Sequence, residues 1–163
     1  METIKIGIVG LGTVGNGVVK MLQAHQAKIS EITGRNLELA CVVVHNLKKH
    51  QQTDLGDVRL TDQIETLIDD PEIQIMVEVM GSIHPAKEYI TRALQAGKHV
   101  VTANKDLIAQ YGRELVQIAR ENHRDLFYEA SVAGGIPILR TIDNSFAADK
   151  IQRVMGIVNG TTN

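Results

Sequence analysis

The run Ile6-Gly7-Ile8-Val9-Gly10-Leu11-Gly12-Thr13-Val14-Gly15 constrains this chain more than any other stretch. The β-branched residues Ile4, Ile6, Ile8 and Val9 predict a strand over residues 3–9, which stops at Gly10-x-Gly12-x-x-Gly15. Helical spacing then begins, with Val14, Val18 and Leu22 on one face, and predicts a helix over 13–27. A strand, a glycine-rich turn and a helix in this order form a dinucleotide-binding fingerprint. Gly10 permits the tight turn, Gly12 lets the backbone approach a pyrophosphate, and Gly15 lets the helix pack closely on the strand. The helix start adds free N–H groups and a partial positive charge. Ordinary turns also use glycine, so the weight lies in the flanking strand and helix. The expected cofactor contacts here are Gly10, Leu11, Gly12, Thr13, Val14 and Gly15.

The rest of the chain keeps the same alternation. A turn at 33–36 leads to a strand over 37–44, followed by a polar stretch, 45–60, expected as loop with at most a short helical turn. Thr61 or Asp62 is placed to cap a brief helix ending at Ile68. Residues 73–80 predict a largely apolar strand whose one charged residue is Glu78, and Pro85 opens a helix that ends at Gly97. Further strands are expected at 99–101, 126–129 and 151–158. Helices are expected at 104–109 and 112–123, broken near Tyr111-Gly112, and at 136–146. Six strands alternating with helices imply an α/β fold, a Rossmann-type doubly wound parallel sheet in one domain spanning 1–163.

Composition excludes several classes. With 163 residues, 44% hydrophobic and 22% charged, the chain suits a globular domain, and a net charge of −2 offers no field for nucleic acid. No apolar run approaches the roughly 20 residues of a membrane span. The lone Cys41 sits in an apolar strand and fits a reducing, cytoplasmic setting, and six scattered histidines form no zinc pattern.

Three later segments narrow the reading: Glu78-Val79-Met80-Gly81-Ser82-Ile83-His84-Pro85-Ala86, Gly97-Lys98-His99-Val100-Val101-Thr102-Ala103-Asn104-Lys105, and Glu129-Ala130-Ser131-Val132-Ala133-Gly134-Gly135-Ile136-Pro137. The chain closes on Gly156-Ile157-Val158-Asn159-Gly160-Thr161-Thr162-Asn163. With the glycine loop, this set resembles homoserine dehydrogenase along the whole chain and in the family's order. The resemblance implies interconversion of L-homoserine and L-aspartate 4-semialdehyde with NAD or NADP, on the route to threonine, methionine and isoleucine. It implies a homo-oligomeric full-length enzyme whose substrate-binding domain would begin near 155–163, leaving this chain as the cofactor-binding portion, expected to be inactive alone. A related semialdehyde reductase or a stand-alone nucleotide-sensing module remain as alternatives.

Carried onto this sequence, the resemblance places Lys105 beside the nicotinamide and the reacting carbon, Gly160 near the cofactor, and Thr161 near the substrate. A lysine can move a proton at the substrate oxygen when its neighbours lower its pKa from about 10.4 toward operating pH, or it can stay charged and polarise the carbonyl. A solvated lysine at a helix start is the plainer reading. The family's Glu129 motif implies a monovalent cation, usually sodium, held with backbone groups of Val132, Gly134 and Ile136; alternatively Glu129 caps the following helix. Ser82 and His84 stand where the family more often has Gly and Glu. Ser82 is expected on the cofactor side, and His84 at the surface. At the end of the second strand, His45-Asn46-Leu47-Lys48-Lys49 holds no carboxylate for a ribose, whereas the family commonly has Arg-Asp at the first two positions. Asn46 suits a hydroxyl, and Lys48 or Lys49 suits a 2′-phosphate or merely solvates a loop, so NADP is slightly favoured over NAD.

Overall fold

β1, Thr3–Val9, lies at the centre of the sheet because it is apolar on both faces. In the computed structural model, which describes residues 1–156, it pairs in parallel with β2, Asn36–Val43, on one side and β4, Ile73–Glu78, on the other. β3, Arg59–Thr61, extends the first side; β5, His99–Thr102, and β6, Leu126–Phe127, extend the second. The resulting order is 3-2-1-4-5-6, all parallel, with its reversal of direction between β1 and β4. Such a reversal splays the loops after the two strands and opens a crevice at their carboxyl ends.

Alternation along β1 divides the core. Ile6 and Ile8 pack with Leu11, Val19, Val42 and Leu55 beneath α1, Thr13–Thr33. The other face receives α3, Glu65–Ile68, α4, Ala86–Gln95, and α5, Lys105–Glu121, around Leu67, Met76, Ile90, Leu94, Val100, Leu107 and Leu115. Cys41 is buried on that face, and desolvation pushes its thiol up to about 11. Lys98 is also buried; its ammonium donates to the carbonyls of Asp70 and Ile73 at 2.6 and 2.9 Å and ties the turn before β5 to the start of β4. Its pKa is lowered by that burial.

Several expectations require correction. The polar stretch 45–60 holds the expected short helical turn, α2, Leu47–His50, but also the beginning of β3, which is held by pairing with β2 rather than by any apolar pattern of its own. Thr61 therefore ends a strand and does not cap a helix. α1 runs to Thr33, with non-helical geometry at His25 and Gly34 in the left-handed conformation closing it. Its packed face centres on Gly15 and Val19, which turns Val14 outward at 54% exposure. α5 continues through Tyr111-Gly112, because buried Leu107, Leu115 and Ala119 outweigh a glycine cost of about 1 kcal/mol. β6 ends at Phe127, and the helix expected over 136–146 is a single turn, α6, Ile138–Arg140, continuing into a wider π-turn, Thr141–Ser145. Residues 151–156 form no strand, so the sixth strand is β3 instead; 157 and 158 lie outside the described residues.

α3 packs tightly on β1 at Gly7, where an added Cβ would stand 2.5 Å from both Cγ and Cδ1 of Leu67. Gly7→Ala should therefore destabilise the fold by about 1–3 kcal/mol through overpacking, and Leu67→Ala by about 2–5 kcal/mol through a cavity. In the double variant the new methyl fills space the leucine vacated, so denaturant unfolding should show a loss smaller than the sum by about 1 kcal/mol or more. Strict additivity would refute this contact.

Candidate functional site

The crevice at the switch point is a cavity of about 660 Å³, within the usual size of a small-molecule site. Its floor is the glycine loop. Gly10 has φ +103°, and a Cβ there would lie 2.9 Å from the backbone of Val79 and Met80, so the loops after β1 and β4 touch main chain to main chain. At Gly15 a Cβ would fall 2.1 Å from the Gly10 carbonyl oxygen. Gly12 differs: its backbone is extended, and a Cβ there would meet nothing of the described residues within 4 Å. Two glycines are thus demanded by packing, and the third leaves open the space a pyrophosphate needs. Asn16 secures the loop by donating its Nδ2 to the carbonyls of Leu11 and Gly12 at 2.8 and 3.0 Å. No side chain caps the start of α1, so its first N–H groups remain available for an anion. These residues fit a dinucleotide.

One wall comes from the ends of β2 and β3. His45, Asn46, Lys49, His50 and Asp62 line it. The Asn46 side-chain oxygen accepts the Lys49 N–H at 3.3 Å and caps α2, which leaves its amide N–H groups as the side chain's remaining donors. Lys49 borders the crevice, whereas Lys48 is exposed outside its walls. The sequence suggests only a helix-capping role for Asp62 and none for His50; they flank β3, a strand too short to show a period.

The opposite wall is Val79, Met80, Ser82, Pro85 and Tyr89. A buried polar chain holds it. The Glu78 carboxylate, fully buried, accepts the Met80 N–H at 2.9 Å on Oε1 and the Thr102 hydroxyl at 2.6 Å on Oε2. Thr102 Oγ1 accepts the Asn104 N–H at 3.1 Å, and Asn104 Nδ2 donates to the Ser82 carbonyl at 2.6 Å. The Asn104 oxygen caps α5 through Leu107 N–H at 3.2 Å, so the first residue of that helix, Lys105, sits on a fixed turn. Lys105 is exposed at the carboxyl end of β5 and is not among the residues lining the crevice.

Glu129 opens the 3₁₀ turn after β6. Its Oε1 accepts the Leu139 N–H and its Oε2 the Arg140 N–H, both at 2.9 Å, which is the capping role. Val132, Gly134 and Ile136 lie in the bend between, where Ala133 and Gly134 have positive φ and the Ile136 carbonyl accepts the Ile138 N–H at 2.8 Å. Each carboxylate oxygen keeps a further lone pair. Among the described residues no group of three or more His, Cys, Asp or Glu converges on a metal position. His84 is exposed, with Nδ1 2.6 Å from Glu88 Oε1. Gly160 and Thr161 lie outside the described residues. Among the described residues no helix is long and apolar enough to cross a membrane.

Comparison with known proteins agrees with this geometry. A family model for the homoserine dehydrogenase NAD-binding domain matches residues 10–129, and a second homoserine dehydrogenase model matches 137–163. The homoserine dehydrogenase of Bacillus subtilis (strain 168) is 49% identical over 163 residues, which are all of this chain and 38% of that protein. The crystal structure of a homoserine dehydrogenase from Thiobacillus denitrificans superposes with a TM-score of 0.85 at 39% identity, over 90% of this chain and 34% of its own. A hyperthermophilic archaeal homoserine dehydrogenase, solved in complex with NADPH, gives 0.70 at 28% identity, over 86% and 48%. The chain thus spans little more than a third of the length of its B. subtilis relative. It belongs to the homoserine dehydrogenase family and carries that family's NAD-binding domain.

Proposed function

We propose that this chain binds NAD or NADP across the crevice and, within a complete enzyme, serves the interconversion of L-homoserine and L-aspartate 4-semialdehyde, in the biosynthesis of threonine, methionine and isoleucine. The observation that carries the cofactor part is Gly12, the one fingerprint glycine whose missing side chain faces open space beside uncapped N–H groups. When bound, the nicotinamide would supply hydride transfer to or from the substrate carbon. The chain's own groups do the rest. Leu11 and Gly12 with the first turn of α1 hold the pyrophosphate, His45 and Asn46 with Lys49 meet the adenosine ribose, and Ser82 borders the nicotinamide half. Lys105 holds or moves the proton at the substrate oxygen, with Gly160 and Thr161 beside it. NADP is favoured by Lys49 and by the lack of a carboxylate at the end of β2.

A monovalent cation, sodium by the resemblance, would use the remaining lone pairs of Glu129 with carbonyls of Val132, Gly134 and Ile136, and would stabilise the bend rather than enter the chemistry. A cytoplasmic setting and a homo-oligomeric full-length enzyme belong to the same reading.

Two tests separate binding from folding and from turnover. In a titration following NADPH fluorescence, Gly12→Val should weaken binding by roughly tenfold or more while leaving the melting temperature unchanged. Gly15→Ala should instead destabilise the fold by about 1–3 kcal/mol or more. Undiminished NADPH binding by folded Gly12→Val would remove the crevice as the cofactor site. In a homoserine oxidation assay, the 163-residue chain should show no turnover. In a full-length homoserine dehydrogenase carrying this domain, Lys105→Ala should lower kcat by about 100-fold or more with folding intact. Unchanged kcat would take Lys105 out of the reaction.

A further inference from the structure

The ribose wall contains a carboxylate that the end of β2 does not supply. β2 and β3 are in register with Val43 opposite Thr61, and the Val44 N–H donates to the Thr61 carbonyl at 2.9 Å. Asp62 therefore leaves β3 alongside Val44-His45, at the carboxyl edge of the sheet, and lines the crevice with His45, Asn46, Lys49 and His50. Dinucleotide sites that prefer an unphosphorylated ribose place an acidic acceptor at the end of the second strand. Here the neighbouring strand brings one to the same corner. Gln63 Nε2 donates to Asp62 Oδ1 at 3.0 Å, which orients the carboxylate and keeps acceptor capacity on Oδ2. Lys49 faces the same space from a helix anchored by the Asn46 cap.

We infer that Asp62 is a specificity-determining residue: its carboxylate accepts from the ribose hydroxyls of NAD and opposes the 2′-phosphate that Lys49 attracts. This rests on the dinucleotide reading of the crevice. The wall then sets one negative charge against one positive charge and admits both cofactors, with Lys49 giving NADP its edge. Cancelling either charge tilts it.

The test is direct binding of NADH and NADPH to the 163-residue chain, read as the ratio of the two Kd values and accompanied by thermal melting. One unit charge facing a phosphate across a solvated cleft is worth roughly 3- to 10-fold in affinity. Asp62→Asn should shift the ratio by that factor toward NADPH, Lys49→Gln by a similar factor toward NADH, and Asp62→Glu should stay within about twofold of the parent. Asp62 is exposed, so all three variants should melt as the parent does. If both cofactors bind and Asp62→Asn leaves the ratio unchanged, Asp62 does not set specificity and the crevice reading survives. If the folded parent chain binds neither cofactor, the crevice reading fails and this inference falls with it.

Discussion

Three backbone segments meet without side chains between them at the point where the sheet reverses. Gly15 of α1 rests against the Gly10 carbonyl, and Gly10 rests against Val79 and Met80. The β1 and β4 loops can lie this close only because neither position carries a Cβ. That contact brings α1 down so that its first turn, free of any side-chain cap, opens toward the crevice. The helix dipole and the N–H groups are then aimed by packing that the fold needs anyway. A phosphate-sized gap at Gly12 follows from the same geometry.

The second half of the site is organised by a carboxylate instead of by glycine. Glu78 is fully buried, and each of its oxygens accepts a donor, one from the β4 loop and one from the end of β5. Through Thr102 and Asn104 the same chain reaches Ser82 and the cap of α5. Every member accepts or donates to another, which is the condition under which buried polar groups specify one arrangement instead of loosening it. The loop bordering the crevice and the turn carrying Lys105 are thereby parts of one hydrogen-bonded unit, although 22 or more residues separate its halves.

The sequence made the centre of the fold legible and its edges less so. β1, β2 and β4 are runs rich in apolar residues, β5 carries the pair Val100-Val101, and the glycine spacing marked the loop. β3 escaped because three residues with one apolar side chain have no period, and only pairing with β2 defines them. The opposite error occurred at 151–156, where Val154 and Met155 suggested a strand but stand 67% and 81% exposed without one. Asp62 is hidden for the same reason as β3: Thr-Asp before an apolar run suggests a helix cap, whereas strand register carries Asp62 to the edge of the crevice. Of the two readings left open for Glu129, the capping one describes its observed partners.

Those partners also mark a joint. Glu129 is the last residue matched by the NAD-binding family model, while Leu139 and Arg140 fall within the second homoserine dehydrogenase match. A single carboxylate thus clasps two segments ten residues apart, closing the intervening bend into a ring. The direction in which the chain leaves the nucleotide-binding sheet is set at this clasp. Removing the carboxylate at 129 would release the Leu139 and Arg140 N–H groups together, and with them both ends of the bend.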